Sequence, residues 1–323
     1  MNINDRNIKV WSTIGSRATL GIAALELAKE IENLMVLTCD VSTSAGLDRY
    51  RKTYPDKYLD VGIAEQNLIG VAAGLASENF NVITTTFASF QTMRCCEQIK
   101  VNLAYMNQKV CLVGIASGLA LGTLGFTHCC IEDVGVLRSI PGLTIISPAD
   151  SLETVKALEA AVKYNGPSYL RLTGTSNNPI VYEKDYEFKI GQSIKLRDGK
   201  DLTIFCAGTM VHTSLQAAKI LEKEKISCKV VNMHTIKPID KKAIEDACDS
   251  NLIVSIEEHN IIGGLGSAIA EHLSKLSNRP KQLFLGIKDV YGKGGEYNFL
   301  LDKHGLTPNK TANEILKNYK NND

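Results

Sequence analysis

The chain has 323 residues, of which 44% are hydrophobic, 22% charged and 6% aromatic, and 36 basic against 35 acidic side chains leave a net charge of +1. This is the composition of a globular protein of about two domains, not of a disordered or fibrous one. A near-neutral chain offers no electrostatic case for nucleic acid or an anionic membrane surface, and so few aromatics leave little for single strands to stack on. The longest uncharged stretch, 110–131, carries Gly114, Gly118, Gly122, Gly125 and His128 and is too polar and glycine-rich for a bilayer helix. The opening residues contain no apolar signal-peptide core. Nine cysteines form no Cys-x-x-Cys pair, and the neighbours Cys95/Cys96 and Cys129/Cys130 are poorly placed to chelate one metal. They read as reduced thiols of a cytoplasmic protein.

In chain order, short β-branched runs alternate with longer helical stretches. Strands are predicted at 34–38, 81–85, 109–115, 144–147 and 168–172, and helices at 62–76, 93–106, 133–139 and 151–164. Residues 174–200 are polar, include Asn177, Asn178 and Pro179, and read as a linker entering an edge strand or hairpin. A second series follows, with strands at 202–207, 228–232 and 252–257 and helices at 211–223, 241–248 and 266–276. Strands alternating with helices imply parallel sheets covered on both faces. The expected fold is therefore α/β, two doubly wound domains with mainly parallel sheets, over 1–185 and 186–323.

The segment that carries chemistry is 58–76, YLDVGIAEQNLIGVAAGLA. Glu65 lies near a helix start in apolar, glycine-rich surroundings, where burial without a partner is costly. Taken alone, it reads first as a helix-start carboxylate favoured by the dipole. The ordered set GIAEQN, TFASF, GFTH and IEDVGVLRSIPGLTIISPAD resembles the pyrimidine-binding domain of the transketolase superfamily of thiamine-diphosphate enzymes. Residues 257–271 (EEHNIIGGLGSAIAE) and 291–306 (YGKGGEYNFLLDKHGL) resemble the C-terminal domain and tail of split transketolases, so the resemblance spans nearly the whole chain.

The resemblance implies thiamine diphosphate as cofactor. Its 4′-amino group removes the C2 proton only as the imino tautomer, which needs a proton donor at N1′. A buried carboxyl meets that need, and the resemblance gives the role to Glu65. Phe87 and Phe90 of the T-F-x-x-F match are expected to wall the pyrimidine, and Ile63 to lie beside it. His128 of G-F-T-H is expected to reach substrate oxygens. Asp40 and Ser44 of the D-V-S-T-S segment follow a strand, where open α/β sheets bind ligands; they match positions near the thiazole and the donor substrate, and read equally as a strand-end turn.

The family holds Mg²⁺ and the diphosphate through Gly-Asp-Gly, which this chain lacks. An N-terminal transketolase subunit is therefore expected to supply the metal ligands, in an α2β2 assembly with a sugar substrate. Three positions depart from the sugar-phosphate pattern: Leu124 stands for an Asp, Ala116 for a His, and Gly174 for the phosphate-gripping Arg. Arg171, three residues earlier, is the candidate replacement. Ketol transfer is the leading reading. A 2-oxo acid dehydrogenase E1 β subunit or other acyloin-forming enzyme is the alternative, and a non-catalytic scaffold subunit the third.

Overall fold

The computed structural model describes residues 1–320. Its strands are β1 (Leu34–Thr38), β2 (Tyr58–Asp60), β3 (Asn81–Phe87), β4 (Val110–Ser117), β5 (Thr144–Ile146), β6 (Ser168–Thr173), β7 (Ile194–Arg197), β8 (Leu202–Cys206), β9 (Cys228–Asn232), β10 (Thr235–Lys237), β11 (Leu252–Asn260) and β12 (Lys281–Ile287). They form a seven-stranded sheet, β10-β5-β6-β4-β3-β1-β2, and a five-stranded sheet, β12-β11-β8-β9-β7. Pairing is parallel except at β10–β5 and β7–β9. The α/β reading with mainly parallel sheets is what the structure has.

β1 shows why these runs are strands covered on both faces. Leu34 and Val36 point into one apolar layer with Trp11, Leu20 and Leu158, while Leu37 points into the other with Leu68, Ile69 and Ile99. The helices Asp5–Glu30 and Ser151–Lys163 cover the first face, and the helix Glu65–Ser77 the second. β4 and β6 are buried along their whole length, as central parallel strands require. Truncating one such leucine to alanine costs roughly 2–5 kcal/mol.

The linker reading of 174–200 ends, as expected, in an antiparallel edge strand, β7. The strand β2 and the helix Asp48–Thr53 were not expected, and neither were four further features. The helix Asp5–Glu30 is interrupted at Gly15, whose φ is +80°. A Cβ there would lie 2.6 Å from the carbonyl oxygen of Thr175, so the close approach demands glycine. The predicted helix 93–106 is instead a 3₁₀ turn (Met93–Cys95), one α turn (Cys96–Gln98) and a π-helix (Ile99–Tyr105). β12 and the helices Tyr297–Lys303 and Pro308–Lys320 complete the second half. Finally, β10 leaves the second half and joins the first sheet beside β5. All nine cysteines are free. No helix among the described residues is long and apolar enough to cross a membrane.

Candidate active site

β1 to β4 run parallel, so their C-terminal ends open on one rim of the first sheet. β1 delivers Cys39 and Asp40, β2 leads into the turn 61–64, β3 ends on Phe87, and β4 leads into the loop holding His128. This is the edge at which open α/β sheets bind ligands.

Glu65 begins the helix Glu65–Ser77, at the positive end of its dipole, and its side chain is only 5% exposed. Its Oε1 pairs with Nη1 of Arg94 at 2.8 Å, and the Arg94 side chain is 44% exposed. The guanidinium carbon Cζ lies over the Phe90 ring, 4.0 Å from its centroid. Sequence reasoning missed Arg94. The only signal was a cation four residues beyond Phe90 in an otherwise uncharged run, 79–93.

Phe87 and Phe90 meet edge to face at 6.3 Å, and Phe90 meets the His128 ring in the same way at 5.4 Å. Ser89 makes that meeting possible: its hydroxyl donates to the carbonyl oxygen of His128 at 3.0 Å, tying the turn after β3 to the loop after β4. The His128 Nδ1 shares a hydrogen bond with the Thr127 hydroxyl at 3.0 Å. Phe87, Phe90 and His128 are thus in contact, and Arg94 joins Glu65 to them.

A second carboxylate sets the geometry. Asp60, at the end of β2, accepts from the backbone N–H of Asp40 at 3.0 Å and of Gly62 at 2.9 Å, and from the Thr38 hydroxyl at 2.9 Å. Asp40 and Gly62 both have positive φ, +54° and +71°, conformations that Asp tolerates and Gly adopts freely. Asp60 therefore fixes both the Asp40 turn and the turn that aims Glu65. Burial offsets part of the effect, but these donors hold its carboxyl below the usual range. Sequence reasoning missed Asp60 as well. Burial pushes the neighbouring Cys39 thiol up to about 11 and the Cys95 thiol up to about 12, with the Glu65 charge adding to both. Both stay protonated at neutral pH and are poor nucleophiles.

The other sequence candidates are placed differently. Asp40 is exposed at the rim. Ser44 is exposed on the loop 41–47, which a Ser42–Asp48 hydrogen bond of 2.9 Å stiffens. Ile63 is 77% exposed, presenting an apolar side chain outward. Arg171 requires a correction as a phosphate ligand. Its Nε donates to both oxygens of Asp133, at 3.0 and 2.8 Å, and its Nη2 to the carbonyl oxygens of Cys130 and Glu258. The guanidinium is buried and committed within the protein, leaving no free fork for a substrate. Gly174 has a φ of +82°, and a Cβ there would meet Thr209 at 2.8 Å and Asn178 at 3.0 Å, so no arginine fits. Leu124 is exposed, and Ala116 is buried.

A flat nitrogen-bearing group already lies between Glu65 and Phe90, in the form of the Arg94 guanidinium. An acid at one edge and an aromatic face below therefore fit an aminopyrimidine. No group of three or more His, Cys, Asp or Glu among the described residues is arranged to hold a metal ion.

Residues 12–178 match the transketolase pyrimidine-binding domain, and residues 191–311 the transketolase C-terminal domain. The chain is 37% identical over 308 residues to a putative transketolase C-terminal section of Methanocaldococcus jannaschii, covering 95% of this chain and 96% of the relative. It is 38% identical over 311 residues to a subunit of the apulose-4-phosphate transketolase of Phocaeicola vulgatus, covering 94% and 98%. Among solved structures, a split-gene transketolase described as an inactive β4 tetramer superimposes with a TM-score of 0.85 at 35% identity, covering 94% of this chain and 97% of that one.

Proposed function

Because the chain belongs to the transketolase family, we propose that it is one subunit of a two-chain, thiamine-diphosphate-dependent enzyme that moves a two-carbon ketol unit from a ketose donor to an aldehyde acceptor. The observation that carries the reading is the buried Glu65 carboxylate, joined to the Phe90 ring through the Arg94 guanidinium, with the His128 ring meeting Phe90 edge to face. A relative named as one subunit of a transketolase and a similar chain described as an inactive β4 tetramer support a chain that works only with a partner.

Thiamine diphosphate, when bound, supplies a nucleophilic carbon to the donor's carbonyl. The chain's own residues prepare that event. Glu65 holds a proton at the pyrimidine N1′. Phe90 supports the ring face, with Phe87 buttressing it edge-on. Asp60 keeps the Glu65 turn and the Asp40 turn in register. His128, linked to Thr127, presents a ring nitrogen to substrate oxygens. Asp40 and Ser44 are exposed on the rim, where they would meet the thiazole and the donor. Mg²⁺ and the diphosphate belong to an N-terminal transketolase subunit, in an α2β2 assembly.

The substrate is a specialised one. With Gly174 closed to an arginine and Arg171 committed to Asp133, this chain offers no arginine fork at either position. An uncompensated polar ligand group costs about 1–3 kcal/mol, more when charged. The test is steady-state kinetics on the complex co-purified with its partner. Ketol transfer by the complex and none by the chain alone is expected, with kcat/KM for xylulose 5-phosphate plus ribose 5-phosphate below about 10⁴ M⁻¹s⁻¹. A higher value makes this an ordinary transketolase in two pieces. Turnover of a 2-oxo acid with a lipoyl acceptor replaces ketol transfer by the dehydrogenase reading.

A further inference from the structure

Arg94 is bound to the two groups that the cofactor's ring would use. Its Nη1 is 2.8 Å from Oε1 of Glu65, and its Cζ is 4.0 Å from the centre of Phe90. We propose that Arg94 is a placeholder for the aminopyrimidine: its guanidinium keeps the seat formed while the ring is absent and must leave before the ring can enter. This rests on the reading that Glu65 and Phe90 make that seat.

A guanidinium is suited to the task. It is planar, presents N–H donors along one edge and stacks on aromatic faces. An aminopyrimidine is likewise planar, carries nitrogen along one edge and stacks, so the two compete for one volume. The side chain has somewhere to go, since it is 44% exposed. Its backbone is anchored separately: the Arg94 carbonyl oxygen accepts from the side-chain amide of Gln66 at 3.1 Å, and the 3₁₀ turn Met93–Cys95 fixes the local path. Release is therefore a side-chain movement that leaves Phe90 and the helix Glu65–Ser77 in place.

The exchange has an electrostatic consequence. Removing the cation leaves Glu65 as a buried negative charge without a partner, which is costly. The ring is accepted when Glu65 has taken up one proton from solvent, and that proton then lies between the carboxyl and the ring nitrogen. Departure of Arg94 thus couples ring entry to loading of the acid. A seat that is blocked for part of the time binds more weakly in proportion to the blocked fraction.

The full chain reads the pyrimidine half alone, so the test needs neither metal nor partner. The probe is 4-amino-5-hydroxymethyl-2-methylpyrimidine, titrated against the whole chain and followed by ligand-observed NMR. Arg94→Ala is expected to bind it about 5- to 30-fold more tightly than the native chain, the size of a lost half-exposed ion pair plus a cation–π contact. Arg94→Lys keeps the charge without the flat stack and is expected to fall between the two. Unchanged or weaker binding by Arg94→Ala overturns the placeholder. The seat itself is read separately: Glu65→Gln in the Arg94→Ala background should lose the affinity gained. If that double variant binds as tightly as Arg94→Ala, the Glu65 reading fails while the steric release stands. Absence of any binding by Arg94→Ala removes both.

Discussion

Two arginine–carboxylate pairs, Glu65–Arg94 and Asp133–Arg171, use the same chemistry at the same 2.8 Å separation. In the first, the acid is buried and the arginine is half in solvent. In the second, both side chains are sealed, at 4% and 0% exposure. Arg171 also reaches the carbonyl oxygens of Cys130 and Glu258, Asp133 also accepts from the Tyr169 hydroxyl at 2.7 Å, and Glu258 in turn accepts from Leu119, Thr209 and Tyr297. The contrast separates an exchangeable contact from a structural one. A pair with one partner at the surface can change partners at low cost, whereas a sealed pair tied into further buried hydrogen bonds cannot.

The largest expected effect is at the exchangeable pair. In the reconstituted enzyme, Glu65→Gln keeps the size of the side chain but not its proton, and should lower kcat by about 10²–10⁴-fold. Cofactor should still bind, and its C2–H/D exchange should slow in parallel; exchange at the native rate would take the role from Glu65. At the sealed pair, Arg171→Leu leaves Asp133 charged and buried, and urea unfolding should show a loss of about 3–5 kcal/mol. A loss below about 1 kcal/mol, the scale of surface pairs, would mean that water reaches the pair and that the contrast is false.

A smaller effect is expected where β10 meets the first sheet. His234 is fully buried, its ring lies 4.2 Å from that of Phe188, and burial pushes its pKa down to about 4. The folded state therefore binds fewer protons than the unfolded state between about pH 4 and 6.5. Its contribution is complete above pH 6.5 and is lost as the pH falls through that window, by up to about 3 kcal/mol. Denaturant titrations of His234→Phe across this range should show a flatter pH dependence than the native chain; the same slope in both would assign the pH dependence elsewhere. The smallest effect is expected at Arg138–Glu271, a forked pair with a 2.8 Å contact whose glutamate is 61% exposed. Glu271→Ala should change stability by less than about 1 kcal/mol, and by less still in high salt.

The sequence made the central strands legible because buried parallel strands are continuous apolar runs, as at β4 and β8. It made Glu65 stand out because an acid among small and apolar residues is anomalous. It concealed the helix Asp5–Glu30 behind Gly15, whose role depends on Thr175, far along the chain. β10 is three residues long, too short for any periodic signal. Arg171 was misplaced for a physical reason. An arginine inside a fully buried strand needs an acid, and Asp133, 38 residues away, is not apparent as its partner without the fold. Arg94 and Asp60 escaped for the same cause: each acts through groups on other elements, Arg94 through Glu65 of the helix Glu65–Ser77 and Asp60 through Thr38 and Asp40 at the end of β1.

The strand β10 has a consequence for how the chain is made. As the polypeptide leaves the ribosome, residues 34–173 can pair into six strands, but β5, with all three of its residues buried in the finished fold, keeps an open edge until 235–237 have been synthesised. An open apolar edge is a template for pairing with another nascent chain. A fragment ending at 185 carries that edge permanently, and should form aggregates that the whole chain, with β10 in place, does not. Separating the two halves for study, or fusing the first to another protein, calls for a shield over β5 rather than a longer linker.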